Sequence, residues 1–220
     1  MHDFSIIIPQ HGECQQTFNA IQSLQKTQVG DVEILVIDDG SDHTAWQQLR
    51  VQLQTKIGDL TLLRIPRRQG VTAAWNHGAR CARGRTLIFL NNDTISQGPW
   101  LQDLTAPLKS GDISLTAPCI RRKPERGIAS ELLEGWCLAL RRETYLALGG
   151  FDERFRLYYS DTDLQLRLLQ QSALALRACP GLPLIHLRHR STRKLPSRFA
   201  EWRRDRNRFL QKWGLIGVPR

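Results

Sequence analysis

The chain has 220 residues, which is enough for one substantial hydrophobic core and short for two full domains. Hydrophobic residues make up 41% and charged residues 24% of the sequence, so the composition excludes a disordered, collagen-like or coiled-coil protein. The formal net charge is +10, and the segment between His186 and Arg220 alone holds eleven Lys or Arg against two acidic residues. This basic segment therefore carries nine of the ten net charges, and the rest of the chain is nearly neutral.

The apolar runs and the cysteines favour a cytosolic protein. The longest runs, such as residues 34–37, are far shorter than the ~20 residues of a membrane-spanning helix, and the amino terminus shows no signal-peptide pattern. The five cysteines are odd in number and include no CxxC pair, which indicates reduced thiols rather than a disulfide or zinc framework. We therefore expect a cytoplasmic location.

The first half of the chain alternates between short apolar runs and longer segments of helical periodicity. Four runs rich in β-branched residues, each ended by Pro, Asp or Asn, predict strands at residues 4–8, 34–37, 60–65 and 86–90. The segment containing Phe18, Ile21 and Leu24 and the alanine-rich segment 71–83 predict crossover helices. This α/β pattern indicates a mostly parallel, Rossmann-like sheet flanked by helices on both faces.

Polar residues follow these strands, where an open parallel sheet binds its ligands. The sequence places residues 9–11, 38–41 and 91–93 at this edge. Asp38 and Asp39 are adjacent carboxylates, and at least one of them should point into a cleft, although Asp residues here could also cap the next helix. Asp93, with Asn91 and Asn92, could bind a divalent cation through oxygen ligands.

The second half of the chain is less regular. Residues 136–140 predict a strand, residues 142–148 a short helix ended by Gly149 and Gly150, and residues 161–169 a helix. The polar stretch 121–127 is interpreted as a solvated connection. Asp163 is interpreted as a capping or solvent-facing residue.

Eight short motifs occur along the chain in the order and at the spacing that are typical of one protein family. They lie at residues 5–9, 34–42, 70–78, 82–84, 90–94, 149–153, 161–167 and 186–191. In this respect the chain resembles the inverting nucleotide-sugar glycosyltransferases of family 2, and in particular their rhamnosyltransferase-like branch. The resemblance spans about residues 4–192 and implies the GT-A fold.

The resemblance also implies roles for individual residues. Asp161 would be the general base that takes a proton from the acceptor hydroxyl. Asp93 would bind Mg²⁺ or Mn²⁺ between the two phosphates of the donor, with His186 of a His-x-x-x-x-Ser pattern as a second candidate ligand. Asp39 would accept a hydrogen bond from a pyrimidine base. The implied donor-binding residues are Pro9, His11, Asp38, Asp39, Gly70, Asn76, Asn91, Asn92 and Asp93.

The chain also departs from the family pattern at several positions. Asn91 replaces a common aspartate, Ser160 replaces the glutamate that usually precedes the base, and Arg68 replaces an asparagine near Gly70. His11 and Gly12 replace a frequent Tyr-Asn pair. These departures leave the identity of the donor's nucleotide base and sugar open, and UDP- or dTDP-sugars are favoured.

The predicted function is metal-assisted transfer of a sugar from a nucleoside diphosphate to a saccharide, lipid-linked or protein acceptor, in polysaccharide or glycoconjugate synthesis. One alternative is a degenerate, non-catalytic sugar-nucleotide-binding module, which Asn91 and Ser160 would suit. The other alternative is a nucleotidyltransferase. That class is expected to carry a glycine- and arginine-rich loop after the first strand, for which residues 9–12 are too short.

The predicted domain organisation is a catalytic domain at residues 1–192 and a basic helical tail at residues 193–220. Apolar side chains of the tail approximate one helical face among arginines: Phe199, Trp202, Phe209, Leu210 and Trp213. Such a helix could pack on the catalytic domain or lie on an anionic membrane surface, so peripheral contact with the inner face of a membrane is one hypothesis. Because the rest of the chain is nearly neutral, no nucleic-acid partner is expected.

Overall fold

The computed structural model describes residues 2–28, 30–53, 59–121, 127–128, 130–171, 175–188 and 196–215. Within these residues, seven strands form one sheet in the order β3-β2-β1-β4-β7-β6-β8, and two short strands, β5 and β9, form a second. The strands are β1 (Phe4–Gln10), β2 (Val32–Asp39), β3 (Asp59–Ile65), β4 (Thr86–Leu90), β5 (Thr94–Ser96), β6 (Ile113–Ala117), β7 (Cys137–Arg141), β8 (Ala175–Ala178) and β9 (Leu184–His186).

Helices connect and cover these strands. They are α1 (Cys14–Thr27), α2 (His43–Leu53), α3 (Val71–Cys81), α4 (Leu101–Thr105), α5 (Arg142–Ala147), α6 (Ser160–Gln171) and α7 (Arg198–Lys212), with a 3₁₀ helix at Ala106–Ser110. The four strands of the first half, β1 to β4, are parallel, as the apolar runs predict. Strand β7 then runs antiparallel to β4, so the whole sheet is mixed.

Alternation along the strands divides the core into two layers. In β1, Ile6 and Ile8 pack with the layer that includes Ile21 and Leu24 of α1, whereas Ile7 packs with Ala74 and neighbouring residues of α3 on the opposite face. Successive side chains of a strand point to opposite faces. A continuously apolar strand therefore contributes to both layers, which is why these runs lack polar positions.

The first two strands are longer than their apolar runs. Strand β1 continues through Pro9 to Gln10, and β2 continues through Asp38 to Asp39, so the predicted ends at these polar residues are wrong. The register pairs Gln10 with Asp38, and the Gln10 side chain donates a 2.6 Å hydrogen bond to the Asp38 carboxylate. The pairing of β1 with β2 thus continues past the apolar runs, and polar side chains occupy its last positions.

The tail helix α7 packs on the rest of the chain, but through a face that only partly matches the predicted one. Its buried residues are Glu201, Asp205 and Phe209, while Phe199 and Trp202 are exposed. Phe209 of the predicted apolar face is buried, but the other two buried side chains are carboxylates with partners in the body of the chain, so the predicted face is correct only in part. None of the described helices has the length and apolar composition needed to cross a bilayer.

Candidate active site

One cavity of about 820 Å³ opens beyond the carboxyl ends of β1, β2 and β4. Three acidic residues contribute to its walls: Asp39, Glu134 and Asp161. Five residues that carry or can carry positive charge also line it: His11, Arg68, Arg121, His186 and Arg188. The cavity therefore combines cations suited to a phosphorylated ligand with carboxylates that can accept protons or hydrogen bonds.

Asp39, the last residue of β2, is held in the cavity wall by backbone amides. Its two carboxylate oxygens accept hydrogen bonds from the N–H groups of Gln69 at 2.7 Å and Gly70 at 2.8 Å. Gly70 has φ of 111°, and a Cβ at this position would collide with the carbonyl of Arg156. The requirement for glycine at position 70 therefore follows from this backbone turn, which presents both amides to Asp39.

Asp38 faces away from the cavity, and its predicted donor-binding role is corrected. The side chain is fully buried and bonds with Gln10 and Ser41, while Arg64 lies 3.4 Å from one carboxylate oxygen. Because adjacent strand residues point to opposite faces, only one of the two aspartates can face the ligand. Neither of them caps α2; that role belongs to Asp42, which accepts a 2.8 Å bond from the Ala45 N–H.

The end of β1 completes the same wall. Pro9 and His11 both line the cavity, as their sequence positions suggest. One imidazole nitrogen of His11 lies 2.8 Å from the carbonyl oxygen of Asp39, which ties the two strand ends together.

Asn76, in contrast, does not line the cavity, and its donor-binding prediction is corrected. It is buried in α3, where its amide nitrogen donates to the Phe151 carbonyl at 2.9 Å. Its amide oxygen accepts from the Tyr145 hydroxyl. Burial raises the pKa of Tyr145, so this phenol stays protonated and acts as a donor. Asn76 therefore holds the chain around Phe151 rather than a ligand.

The segment after β4 supplies a second group of polar side chains. Asn91 and Asn92 line the cavity, and the Asn92 amide is fixed by a 3.0 Å bond to the Thr17 hydroxyl on α1. Asp93 lies behind this lining and is 2% exposed. The three residues thus stay together at the strand end, although only the two asparagines reach the cavity surface.

The small β5–β9 sheet brings Asp93 and His186 together across 93 positions. Thr94 pairs with His186 in this antiparallel ladder, and His186 Nε2 lies 3.1 Å from Asp93 Oδ1. The Trp136 ring stacks on the imidazole with centroids 4.9 Å apart. The two predicted metal ligands are therefore neighbours, with His186 on the cavity surface. Ser191 of the same motif lies outside the described residues.

Asp161, the second residue of α6, faces the cavity from the opposite wall. Its carboxylate is 18% exposed and forms an ion pair with Arg121, whose other terminal nitrogen donates to the Thr162 hydroxyl at 2.8 Å. Gly135 lies so close that a Cβ there would collide with the Asp161 carboxylate. Gln165 on α6 fixes this neighbouring segment by bonding both the N–H and the carbonyl of Leu133.

Arg121 is a site residue that sequence reasoning missed. It belongs to the stretch 121–127, which was interpreted as a solvated connection, yet its side chain is only 20% exposed and lies against Asp161. The backbone places it there, because the Arg121 N–H donates to the Leu132 carbonyl at 2.7 Å. Residues 122–126 of that stretch lie outside the described residues.

Asp163 is also placed differently from its prediction. It is fully buried rather than solvent-facing, and it pairs with Arg167 at 2.8 Å and with Lys212 at 2.6 Å. Lys212 lies at the end of α7, and this contact joins two segments that are 49 positions apart. The sequence carries no local signal for such a pair.

Among the described residues, no group of three or more His, Cys, Asp or Glu side chains could hold a metal ion. A cation at Asp93 and His186 would therefore need further ligands from a bound donor and from water. Magnesium sites that use one or two carboxylates plus substrate phosphates have this character.

Comparison with known proteins gives one family and one fold. The family model for "Glycosyl transferase family 2" matches residues 5–164. An uncharacterized glycosyltransferase of Haemophilus influenzae is 26% identical over 188 residues, covering 76% of this chain and 62% of that protein. The N-acetylglucosaminyl-diphospho-decaprenol L-rhamnosyltransferase of Mycobacterium tuberculosis is 30% identical over 110 residues, covering 45% of this chain and 36% of that enzyme.

A solved structure supports the same conclusion at the level of the fold. The mannosyltransferase PcManGT of Pyrobaculum calidifontis, in complex with GDP-Man and Mn²⁺, superimposes with a TM-score of 0.70 at 17% identity. The match covers 92% of this chain and 64% of that one, and it confirms the GT-A fold. The chain spans less than two thirds of each protein compared here. Because the family model matches well over half of its residues, the chain belongs to glycosyl transferase family 2.

Proposed function

We propose that this chain is an inverting glycosyltransferase that moves a sugar from a nucleoside diphosphate to an acceptor hydroxyl. The observation that carries the proposal is the convergence of Asp39, Asn91 and Asp161 on one cavity of about 820 Å³. Cavities of roughly 300–1,000 Å³ are typical of small-molecule sites. The names of two similar proteins, a mannosyltransferase and a rhamnosyltransferase, support the same type of reaction.

The wall around Asp39 is suited to the nucleotide. An ionised carboxylate has about four acceptor sites, and the backbone of Gln69 and Gly70 uses only two of them here. The remaining lone pairs can accept an N–H of a pyrimidine base, and Pro9 and His11 extend the same wall. The family resemblance favours a UDP- or dTDP-sugar as donor, and Arg68 and Arg188 line the cavity as cations that a diphosphate would meet.

Asp93 and His186 fit a divalent cation. A buried carboxylate 3.1 Å from an imidazole at the cavity surface offers one oxygen and one nitrogen ligand. Mn²⁺ accepts both ligand types, and Mg²⁺ prefers the oxygen. When bound, such a cation supplies a Lewis acid that stabilises charge on the leaving diphosphate. The Mn²⁺ named with the Pyrobaculum mannosyltransferase supports this assignment.

Asp161 is the proposed general base. It lines the cavity and is partly exposed, so a hydroxyl entering from the cavity can donate a hydrogen bond to it. During an in-line displacement, the acceptor oxygen attacks the anomeric carbon while its proton passes to the Asp161 carboxylate. Arg121, which lines the same cavity, orients the base through its ion pair. General-base assistance of this kind contributes about 10²- to 10⁴-fold to a rate.

The decisive experiment measures donor turnover by the full chain. UDP-glucose, GDP-mannose and dTDP-rhamnose are each incubated with Mn²⁺ or Mg²⁺, and release of the nucleoside diphosphate is followed. We expect one donor to be hydrolysed, and Asp161→Asn to lower that rate about 10²- to 10⁴-fold while UDP binding by calorimetry stays unchanged. Asp103→Asn, at an exposed position of α4, is the matched control.

Other outcomes would identify the alternatives. If the chain binds donors but hydrolyses none, and Asp161→Asn changes nothing, it is a non-catalytic binding module. Release of pyrophosphate from a nucleoside triphosphate would instead indicate a nucleotidyltransferase.

The metal assignment has a separate test. After treatment with EDTA, activity is restored by titration with Mn²⁺, and His186→Ala should raise the concentration needed for half-maximal activity by about tenfold or more. His43→Ala, an exposed histidine of α2, should match the unaltered chain. Equal Mn²⁺ requirements for both variants would contradict a ligand role for His186.

We also propose that the exposed face of α7 contacts an anionic membrane surface. Phe199 is 68% exposed, and the Arg198 guanidinium lies 4.6 Å from its ring centroid; Trp202, which is 42% exposed, lines the cavity instead. Cations next to exposed aromatic rings suit anionic headgroups. Phe199→Ser should lower co-sedimentation with phosphatidylglycerol vesicles, whereas Leu146→Ser, an equally apolar exposed site on α5, should not. Equal partitioning of both variants would contradict this contact.

A further inference from the structure

Helix α7 carries buried carboxylates on the face that packs against the cavity walls. Its buried residues Glu201, Asp205 and Phe209 follow one another at intervals of four, so they lie on one side of the helix. Asp and Glu are rarely buried unless they are paired. Each of these three residues has a partner in a segment that lines the cavity, and the partners of the first two lie in different segments of the chain.

Glu201 contacts the nucleotide wall. It is 3% exposed and accepts a 2.9 Å hydrogen bond from Arg68, which lines the cavity two residues before Gly70. Burial raises the pKa of Glu201, but hydrogen bonds from Arg68 and Ser197 outweigh burial and lower it below its ordinary value. The carboxylate is therefore ionised at neutral pH and holds the Arg68 guanidinium in place.

Asp205 contacts the segment that leads into α6. It is fully buried, and its Oδ2 atom accepts hydrogen bonds from the backbone N–H groups of Leu157 at 2.9 Å and Tyr158 at 3.0 Å. Leu157 and Tyr158 line the cavity directly before α6, the helix that begins with Ser160 and Asp161. The carboxylate thus fixes the backbone that leads into the proposed base.

Phe209 restrains the next residue of the same segment. Tyr159 has φ of 68°, which is uncommon for a residue other than glycine. The Tyr159 ring stacks on Phe209 with centroids 4.8 Å apart. A backbone conformation of this kind persists only where the surroundings hold it. Phe209, itself fully buried, supplies that support from α7.

We propose that α7 is a positioning element that orients two segments of the cavity lining, residues 157–160 and Arg68, which Arg156 also links by donating to the carbonyls of Arg68 and Gln69. Asp205 and Phe209 orient residues 157–160 so that Asp161 faces the acceptor, and Glu201 orients Arg68 on the nucleotide wall. These residues act through others and do not touch substrate. The inference rests on the proposed function, because it assigns Asp161 as the base.

The experiment compares variants on successive turns of one helix. Hydrolysis of UDP-glucose, GDP-mannose or dTDP-rhamnose is measured for the full chain, and thermal unfolding confirms that each variant is folded. Asp205→Ala should lower kcat by about tenfold or more and leave the donor KM within about twofold. Glu201→Gln should do the reverse, raising the donor KM by about tenfold with little change in kcat.

Two conservative variants distinguish positioning from general stability. Asp205→Asn keeps an oxygen that can accept both backbone N–H bonds, so it should recover most of the kcat lost in Asp205→Ala. Phe209→Leu keeps the burial but removes the stacked ring, so it should lower kcat several-fold at unchanged donor KM; this variant also serves if Asp205→Ala does not fold. Arg204→Ala, at an exposed position of α7, is the control.

The outcomes separate this inference from the proposed function. If Asp161→Asn is inactive while Asp205→Ala and Phe209→Leu keep the full kcat, the positioning role of α7 is wrong and the proposed function stands. The positioning role is also wrong if Asp205→Ala and Glu201→Gln change kcat and KM in the same way. If Asp161→Asn is fully active, the proposed function itself fails, and the role assigned to α7 fails with it.

Discussion

The two aspartates that line the cavity are held by different kinds of partner. Asp39 is fixed by the backbone N–H groups of Gln69 and Gly70, whereas Asp161 is paired with the side chain of Arg121. A backbone amide cannot leave without moving the chain, but an arginine side chain can change rotamer and release its partner. The comparison indicates a rigid nucleotide wall and an adjustable proton-accepting wall.

The largest effect on ligand binding is expected at the rigid wall. Asp39→Ala removes the carboxylate that we propose accepts an N–H of the nucleotide base, and a hydrogen bond to a charged group contributes about 1.5–3 kcal/mol. We expect UDP binding to weaken about 100-fold, since every 1.4 kcal/mol corresponds to about tenfold. Calorimetric titration with UDP measures this change. Asp39→Asn, which keeps one acceptor oxygen, should lose less, and equal losses in the two variants would contradict a backbone-held carboxylate.

A smaller effect is expected at the adjustable wall. Arg121→Ala removes the partner of Asp161 but leaves the carboxylate in the cavity, so donor hydrolysis should fall about tenfold. UDP affinity should stay unchanged, because Arg121 does not contact the Asp39 wall. Arg85→Ala, at an exposed position next to β4, is the control. A loss of UDP affinity larger than the loss of rate would show that the two walls are not independent.

The last prediction concerns the free energy of unfolding in acid, and it has the smallest effect at neutral pH. Burial raises the pKa of Glu33, but hydrogen bonds from Ser5 and Arg83 outweigh burial and hold the pKa below its ordinary value of 4.5. A lowered pKa in the folded state gives stability that is present above pH 4.5 and is lost as the pH falls through the folded-state value.

The measurement is urea unfolding as a function of pH. The free energy of unfolding should fall below pH 4.5, and Glu33→Gln and Glu201→Gln should each reduce that dependence, because the Glu201 pKa is lowered as well. Only Glu201→Gln should also change the donor KM, since Glu33 lies at the opposite end of β2 from Asp39. A change in donor KM from Glu33→Gln would contradict the separation of the two regions.

Local sequence was sufficient where a site residue lies at or just after the carboxyl end of a strand. Asp39, Asn91 and Pro9 were predicted because parallel strands bring their carboxyl ends to one edge, and the structure places all three at the cavity. This pattern could not predict which of Asp38 and Asp39 faces the cavity, because the answer depends on which face of β2 is covered by the rest of the chain. Asn76 was misjudged for a related reason, since its partners on α5 and near Phe151 lie about 70 positions away.

The sequence by itself determined the parallel strands of the first half, the motifs at their ends and the family, because these depend on residues that are close together along the chain. Tertiary structure decided the pairing of Arg121 with Asp161, the burial of Asp163 and the face on which α7 packs. Each of these joins segments 40 or more positions apart, and a charged side chain looks the same in the sequence whether water or a buried partner surrounds it. Only the packed chain brings the partner that makes its burial favourable.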